Sequence, residues 1–367
     1  MGEETVLRPV RGMKIAAIIA ASGLALVAAA CSKPAETPSG GASSGGTAYK
    51  ACMVTDTGGI DDHSFNAGTW AGFVKAKAAN PALATSYVAS TAMSDYAPNL
   101  TNQASAGCQY IQSVGGLMGD ATVAAAKANP KIQFSIVDSG NGEQPNIYPV
   151  QFETQQAAYL AGYLAAGYSK TGKVGTYGGM KIPPVTIFMD GFADGVKKYN
   201  ADKGKNVVLL GWDKAKQDGL FTNDFVKQDA GKAKSDALAA QGADVIFPVA
   251  GGAGLGTAAN AGTKYTVIWV DSDACVAVPQ YCSVMLTTVV KNMTDLVSEA
   301  VGKAATSNGT LLSNTGAKGA LANNGVSLAP YHDFDSKIDA TLKAEIEKLK
   351  ADIISGAITV SSPAQPK

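Results

Sequence analysis

The sequence predicts an α/β protein of two lobes, each a parallel sheet wrapped by helices, with a ligand cleft between them. Three observations carry this expectation. Short apolar runs alternate with helical patterns along the chain, as in successive βαβ units. About 320 residues remain after an export-like leader and a tether, enough for two lobes of ordinary size. The βαβ pattern then restarts after Pro149-Val150-Gln151-Phe152.

The leader comes first. Lys14 opens an almost uninterrupted apolar run, Ile15 to Ala30, that stops at Cys31 behind Ala28-Ala29-Ala30. A charged start, a short apolar centre and small residues before a cleavage point mark a signal peptide, and a cysteine just after it is where bacterial lipoprotein signals receive lipid. Residues 1–31 are therefore read as a signal with a lipobox, and 32–47 as a Ser/Gly/Pro-rich flexible tether. An unlipidated cleaved signal and a retained membrane helix are the alternatives, and both keep the globular part outside the cytoplasm.

In the first lobe, strands are expected at Tyr49 to Val54, Ser86 to Val88, Tyr110 to Val114 and Ile132 to Val137, with helices starting near Ser64, Ala97 and Asp120. Ser64 is a good N-cap residue. The second lobe opens with a helix from Thr154 to Tyr168, whose Ala157, Leu160, Ala161 and Leu164 share one face. Strands follow at Lys173 to Tyr177, Val207 to Gly211, Val245 to Val249 and Val267 to Val270, separated by helices at Thr186 to Tyr199, Lys232 to Gln241 and Leu255 to Ala261. A strand at Val284 to Thr287, a helix from Val289 to Ala305, short segments near Gly319 and Val326, and a charged helix from Ser336 to Ile354 end the chain. The simplest topology assigns 48–150 plus 286–330 to the first lobe, 151–285 to the second and 331–367 to a C-terminal helix and tail. In open parallel sheets ligands sit beyond the carboxyl ends of strands, so the residues just after each strand are the ones to examine.

Composition excludes several classes. Acidic and basic residues balance at 30 each, so the electrostatic footprint of a nucleic-acid binder is missing. Four cysteines lie outside the leader, an even number in a disulfide-permissive compartment. Cys275 and Cys282 are expected to pair across Pro279, with buried free thiols as the alternative, while the state of Cys52 and Cys108 stays open. Only two histidines exist, His63 and His332, and no C-x-x-C occurs, so a metal site has little to build on. No nucleophile elbow appears and no thiol sits beside a plausible base, so no catalytic residue, enzyme activity or cofactor is expected.

After the first strand comes Val54-Thr55-Asp56-Thr57-Gly58-Gly59-Ile60-Asp61-Asp62-His63-Ser64-Phe65-Asn66. Further along stand Gly119-Asp120-Ala121, Phe134 to Asp138, Tyr159-Leu160-Ala161-Gly162, Gly191-Phe192-Ala193-Asp194-Gly195, Gly242 to Gly252, Val270-Asp271-Ser272-Asp273, and Lys291 behind Val289-Val290. From about Tyr49 to Ala305 this series resembles the basic membrane protein family, the purine-nucleoside-binding lipoproteins of ABC importers. The resemblance implies a type I periplasmic binding protein fold, two Rossmann-like lobes with a hinge that close on a nucleoside. It also implies permease and ATPase partners, and a monomer held at the membrane through a lipid anchor.

The residues themselves support particular contacts. Asp56 ends a strand before two glycines, and its carboxylate could accept from a ribose diol, beside Asn66. Phe65, at the mouth of a helix, could stack on a flat heterocycle. The resemblance implies a second aromatic on the opposite lobe, with Phe225 preferred and Phe221 and Trp212 as alternatives. Asp120 or Asp138 could read the base edge. The resemblance places Asp271 with Lys291 near the ribose. Gly251, in a Gly-rich turn, would allow close approach of ligand. Another small polar ligand such as a sugar, a surface interaction protein or antigen, and a nucleoside hydrolase are the rival readings.

Overall fold

The computed structural model describes residues 48–366. The leader, the lipidation site expected at Cys31 and the tether lie outside the described residues. The first sheet contains strands β1 (Lys50–Val54), β2 (Ala84–Val88), β3 (Tyr110–Val114), β4 (Gln133–Val137) and β5 (Ile147–Phe152), in the order β2-β1-β3-β4-β5, all parallel. Helices α1 (Phe65–Ala79), α2 (Tyr96–Ser105) and α3 (Gly119–Ala128) connect them, and α4 (Thr154–Tyr168) leads out.

The second sheet repeats this plan. Strands β6 (Lys173–Gly178) and β7 (Val208–Leu210) are joined by α5 (Pro183–Lys203). A ribbon of β8 (Trp212–Asp213) and β9 (Asp218–Gly219) leads to α6 (Gln228–Ala240). Strand β10 (Val245–Val249), α7 (Leu255–Ala261), β11 (Thr266–Asp271), the short α8 (Ala274–Ala277) and β12 (Met285–Lys291) complete the order β7-β6-β10-β11-β12. Both sheets therefore switch direction beside their first strand, at β1/β3 and β6/β10, where open α/β sheets place ligands.

The chain then crosses twice more. Helix α9 (Met293–Thr306) packs on α1, β13 (Ala317–Gly319) adds a parallel strand beside β5, and β14 (Val326–Leu328) pairs antiparallel with β12. Helix α10 (Ala340–Ile354) packs on α4, and the segment after it returns to the core through Val360. This corrects the expected division at residue 286. All of β12 belongs to the second sheet, because its apolar run extends to Lys291, and the helix read from Val289 begins at Met293 behind an Asn292 cap. Strand β14 likewise belongs to the second lobe, so the first lobe regains only α9 and β13 from the C-terminal third.

Local chemistry explains the other shifts in element ends. Helix α5 starts at Pro183-Pro184, where a fixed φ and a missing N–H cost nothing, and stops at left-handed Gly204 (φ 59°). Helix α10 begins at Ala340 because Asp339 accepts from Thr341 N at 2.8 Å, while the preceding His332–Lys337 forms a 3₁₀ turn. Strand β5 escapes the sequence reading because Pro149 interrupts its pattern.

Helices α4 and α5 form the tightest seam. A Cβ on Gly162 would stand 2.1 Å from Phe192 O, one on Gly191 2.3 Å from Gln155 O, and one on Gly195 2.0 Å from Tyr159 O. Only glycine lets these backbones meet. The seam fixes the floor of the second lobe, and its α4 lies in the principal apolar core, which runs through both lobes.

Candidate functional site

A cleft of about 620 Å³, including its open mouth, lies between the carboxyl ends of the two sheets. Asp56 enters from beyond β1, Gly115 and Gly116 from beyond β3, and Asp138 from beyond β4. From the other lobe come Val249 at the end of β10 and Ala250 to Gly252 just after it, Asp271 at the end of β11 and Lys291 at the end of β12. Phe65 and Asn66 project from the start of α1, Val185 and Phe188 from α5, and Phe225 from the segment before α6.

The first-lobe wall is a carboxylate network. Asn66 Nδ2 donates to Asp56 Oδ1 at 2.7 Å and to Asp62 Oδ2 at 3.0 Å, and Gly58 N donates to Asp56 Oδ1 at 3.1 Å. Asp56 Oδ2 faces Gly115, where a Cβ would stand only 3.0 Å from it; Gly115 has φ 107°. Burial pushes the Asp56 carboxyl up to about 6 against the pull of the Asn66 and Gly58 hydrogen bonds, with Asp62 and Asp271 adding repulsion. Burial also raises Asp62, against hydrogen bonds from the first turn of α1.

At the cleft centre, Lys291 is buried between two carboxylates. Its Nζ lies 2.5 Å from Asp138 Oδ2 and 3.7 Å from Asp271 Oδ1. It also stands 5.0 Å from the ring centroids of both Phe65 and Phe188, within cation–π range. Burial alone would lower the ammonium, but Asp138 and Asp271 outweigh it and hold Lys291 above its ordinary value, protonated. Asp138 and Asp271 follow equivalent strands of the two lobes, and both adopt left-handed backbone (φ 64° and 69°). Such strain clusters at functional sites and persists where neighbours over-determine it.

The site residues expected from the sequence divide cleanly. Asp56, Phe65, Asn66, Asp138, Phe225, Gly251, Asp271 and Lys291 all line the cleft. Asp120 does not: it is exposed in the first turn of α3, where an acid complements the helix dipole. Phe225 is the cleft aromatic among the three alternatives. Phe221 packs edge-on against Trp212 at 6.0 Å, and Trp212 Nε1 donates to Asp190 Oδ1 at 3.0 Å inside the lobe. Ser64 makes no cap; Asp62 takes that role, accepting from Ser64 N at 3.1 Å, Asn66 N at 2.7 Å and Ala67 N at 3.0 Å.

Sequence reasoning missed Asp62 as a cleft residue, although its spacing before α1 is that of a capping acid, and Phe188, which reads as an ordinary helix residue. Cys275 is bonded to Cys282, and Cys52 to Cys108. Asp273, Cys275 and His332 gather at one surface point, but the bonded sulfur leaves only a His332–Asp273 pair at 2.8 Å, outside the cleft. His63 is also exposed and outside it.

Residues 49–363 match the sequence model of a family described as "ABC transporter substrate-binding protein PnrA-like". The chain belongs to this family. Among relatives of the family, the "ABC transporter nucleoside-binding protein BmpA" of Lactococcus lactis is 32% identical over 94% of this chain and 99% of its own length. Basic membrane protein B of Borreliella burgdorferi is 32% identical over 69% of this chain and 73% of its own. A solute-binding protein of an ABC transporter system from Aeropyrum pernix superposes with a TM-score of 0.76 at 21% identity, covering 86% of this chain and 93% of that one. The family members are substrate-binding proteins and not enzymes, and such proteins of ABC importers work outside the cytoplasm. No helix among the described residues is long and apolar enough to cross a membrane.

Proposed function

We propose that this chain captures a nucleoside, a purine nucleoside foremost, between its lobes and presents it to an ABC permease as a monomer, retained at the membrane by lipid on Cys31. The observation that carries this reading is the pairing of flat and polar surfaces in one cleft. Phe65 and Phe225 line the cleft from different segments, while Asp56 Oδ2 and Asp271 Oδ1 are oxygens without a protein hydrogen bond. A base needs the rings and a ribose diol needs acceptors. Lys291, held protonated, supplies a donor to the ribose hydroxyls or ring oxygen, and Asp138 an acceptor at the base edge. Ligand contacts from both lobes favour the closed form, and only differential affinity for the two states drives closure. No bond is made or broken.

Isothermal titration of the chain from Ser32 with inosine, guanosine, adenosine, free bases, sugars and amino acids tests this. Saturable binding of nucleosides above free bases and sugars supports it. Binding only of sugars would keep the fold and overturn the ligand. No binding by the whole panel would favour a surface interaction role, and free base appearing on incubation would point to a hydrolase.

A further inference from the structure

Ser64 stands immediately before α1, where a hydroxyl ordinarily caps the helix. Here Asp62 has taken the first-turn N–H groups, which frees the Ser64 hydroxyl although it is fully buried. It points across the lobe boundary. Ser64 Oγ donates to Asp271 Oδ2 at 2.8 Å and leans on Val270 O at 3.3 Å. In return, Ser272 Oγ donates to Ser64 O at 3.2 Å. Three consecutive residues at the end of β11 thus clasp one residue of the first lobe in both directions.

The clasp divides the labour of one carboxylate. Asp271 Oδ2 is held by Ser64, whereas Oδ1 is buried without a hydrogen-bond partner and faces the cleft 3.7 Å from Lys291 Nζ. A buried acceptor left open is costly unless something completes it. Asp271 also holds left-handed backbone (φ 69°), a conformation that neighbouring contacts must enforce.

We propose that Ser64 is a positioning residue and interlobe latch: through its hydroxyl the first lobe orients the second lobe's ligand carboxylate, so that closing the lobes and readying Asp271 Oδ1 for ligand are one event. The proposal rests on the nucleoside reading only for the choice of ligand probe. A hydroxyl that merely capped α1 would do neither job. Coupling of this kind makes the ligand-free protein sample the closed form already, which reduces the population shift that ligand must supply.

The test uses the exported protein with spin labels at exposed Lys127 and Lys264, one on each lobe, and inosine as probe. In Ser64→Ala the ligand-free interlabel distances should lengthen and broaden, and Kd for inosine should rise at least tenfold. Ser64→Thr, which keeps the hydroxyl, should restore both. Ser272→Ala should lengthen the ligand-free distances to a lesser degree, and it decides the question if Ser64→Ala fails to fold. Distances unchanged in Ser64→Ala, or a Kd within twofold of wild type despite a lowered melting temperature, would overturn the latch. If wild type itself binds no nucleoside, the nucleoside reading fails, while the distance change still decides the latch.

Discussion

Lowering the pH should weaken ligand binding through Asp56. In the free protein burial raises this carboxyl to about 6, and one of its oxygens is already engaged by Asn66 and Gly58. A hydroxyl donated by ligand to Oδ2 favours the ionised form, so the bound carboxyl titrates lower than the free one. If binding returns it to the ordinary carboxylate range near 4, affinity is greatest above pH 6. It then falls about tenfold per unit as pH drops toward 4, a total of roughly 100-fold or ~2.7 kcal/mol. Stability of the free protein runs the opposite way. A carboxyl raised by folding contributes stability that is fully present below the unfolded value near 4 and lost as pH rises through about 6. Asp62 is shifted in the same direction. Calorimetric titration with inosine from pH 4.5 to 7.5, in buffers of different ionisation enthalpy, measures both Kd and proton release. Asp56→Asn should bind more weakly at neutral pH and lose most of the pH dependence. An affinity for wild type that stays flat across this range would refute the reasoning, as would an undiminished slope in Asp56→Asn.

Three further outcomes are expected. Phe65→Ala and Phe225→Ala should each weaken nucleoside binding by roughly 1 to 3 kcal/mol through lost stacking, whereas Phe221→Ala should lower the melting temperature and leave Kd nearly unchanged, as calorimetry and thermal melts would show. Lys291→Met leaves Asp138 and Asp271 buried without their cation, and should destabilise the fold by about 3 to 5 kcal/mol at neutral pH, with partial recovery in acid, measured by denaturant unfolding. Replacing Cys52 and Cys108 together by alanine opens a link across a separation of 56 residues and should cost about 4 kcal/mol, against about 2.5 kcal/mol for Cys275 and Cys282 at a separation of 7; chemical denaturation of the two double variants under oxidising conditions ranks them.

Local pattern carried much of the site. Strand ends are visible as the limits of apolar runs, so Asp56, Asp138 and Asp271 could be picked out one by one, whereas Lys291, which the pattern put inside a helix, came from the family motifs, and these pointed to the cleft. Pattern failed where two positions look alike locally. Asp120 and Asp138 both follow a strand-like run, but only Asp138 faces the cleft, because the chain enters a 3₁₀ turn and then α3 after β3 and turns Asp120 outward. Ser64 and Asp62 both suit a helix start, and the choice between them depends on Asp271, 207 residues away in sequence from Ser64.

By itself, the sequence determined the α/β class, the two lobes, the family and a minority of the cleft wall, Asp56, Phe65, Asn66, Asp271 and Lys291 among it, because hydrophobic period and turn residues act over a few positions. Tertiary structure alone decided that β12 stays in the second sheet, that Phe225 and not Phe221 meets the cleft, that Cys52 reaches Cys108, and that one lysine joins Asp138 to Asp271. Those outcomes depend on which distant groups are buried together, and the cost of leaving a buried charge or polar atom unpaired is settled only when both lobes are in place.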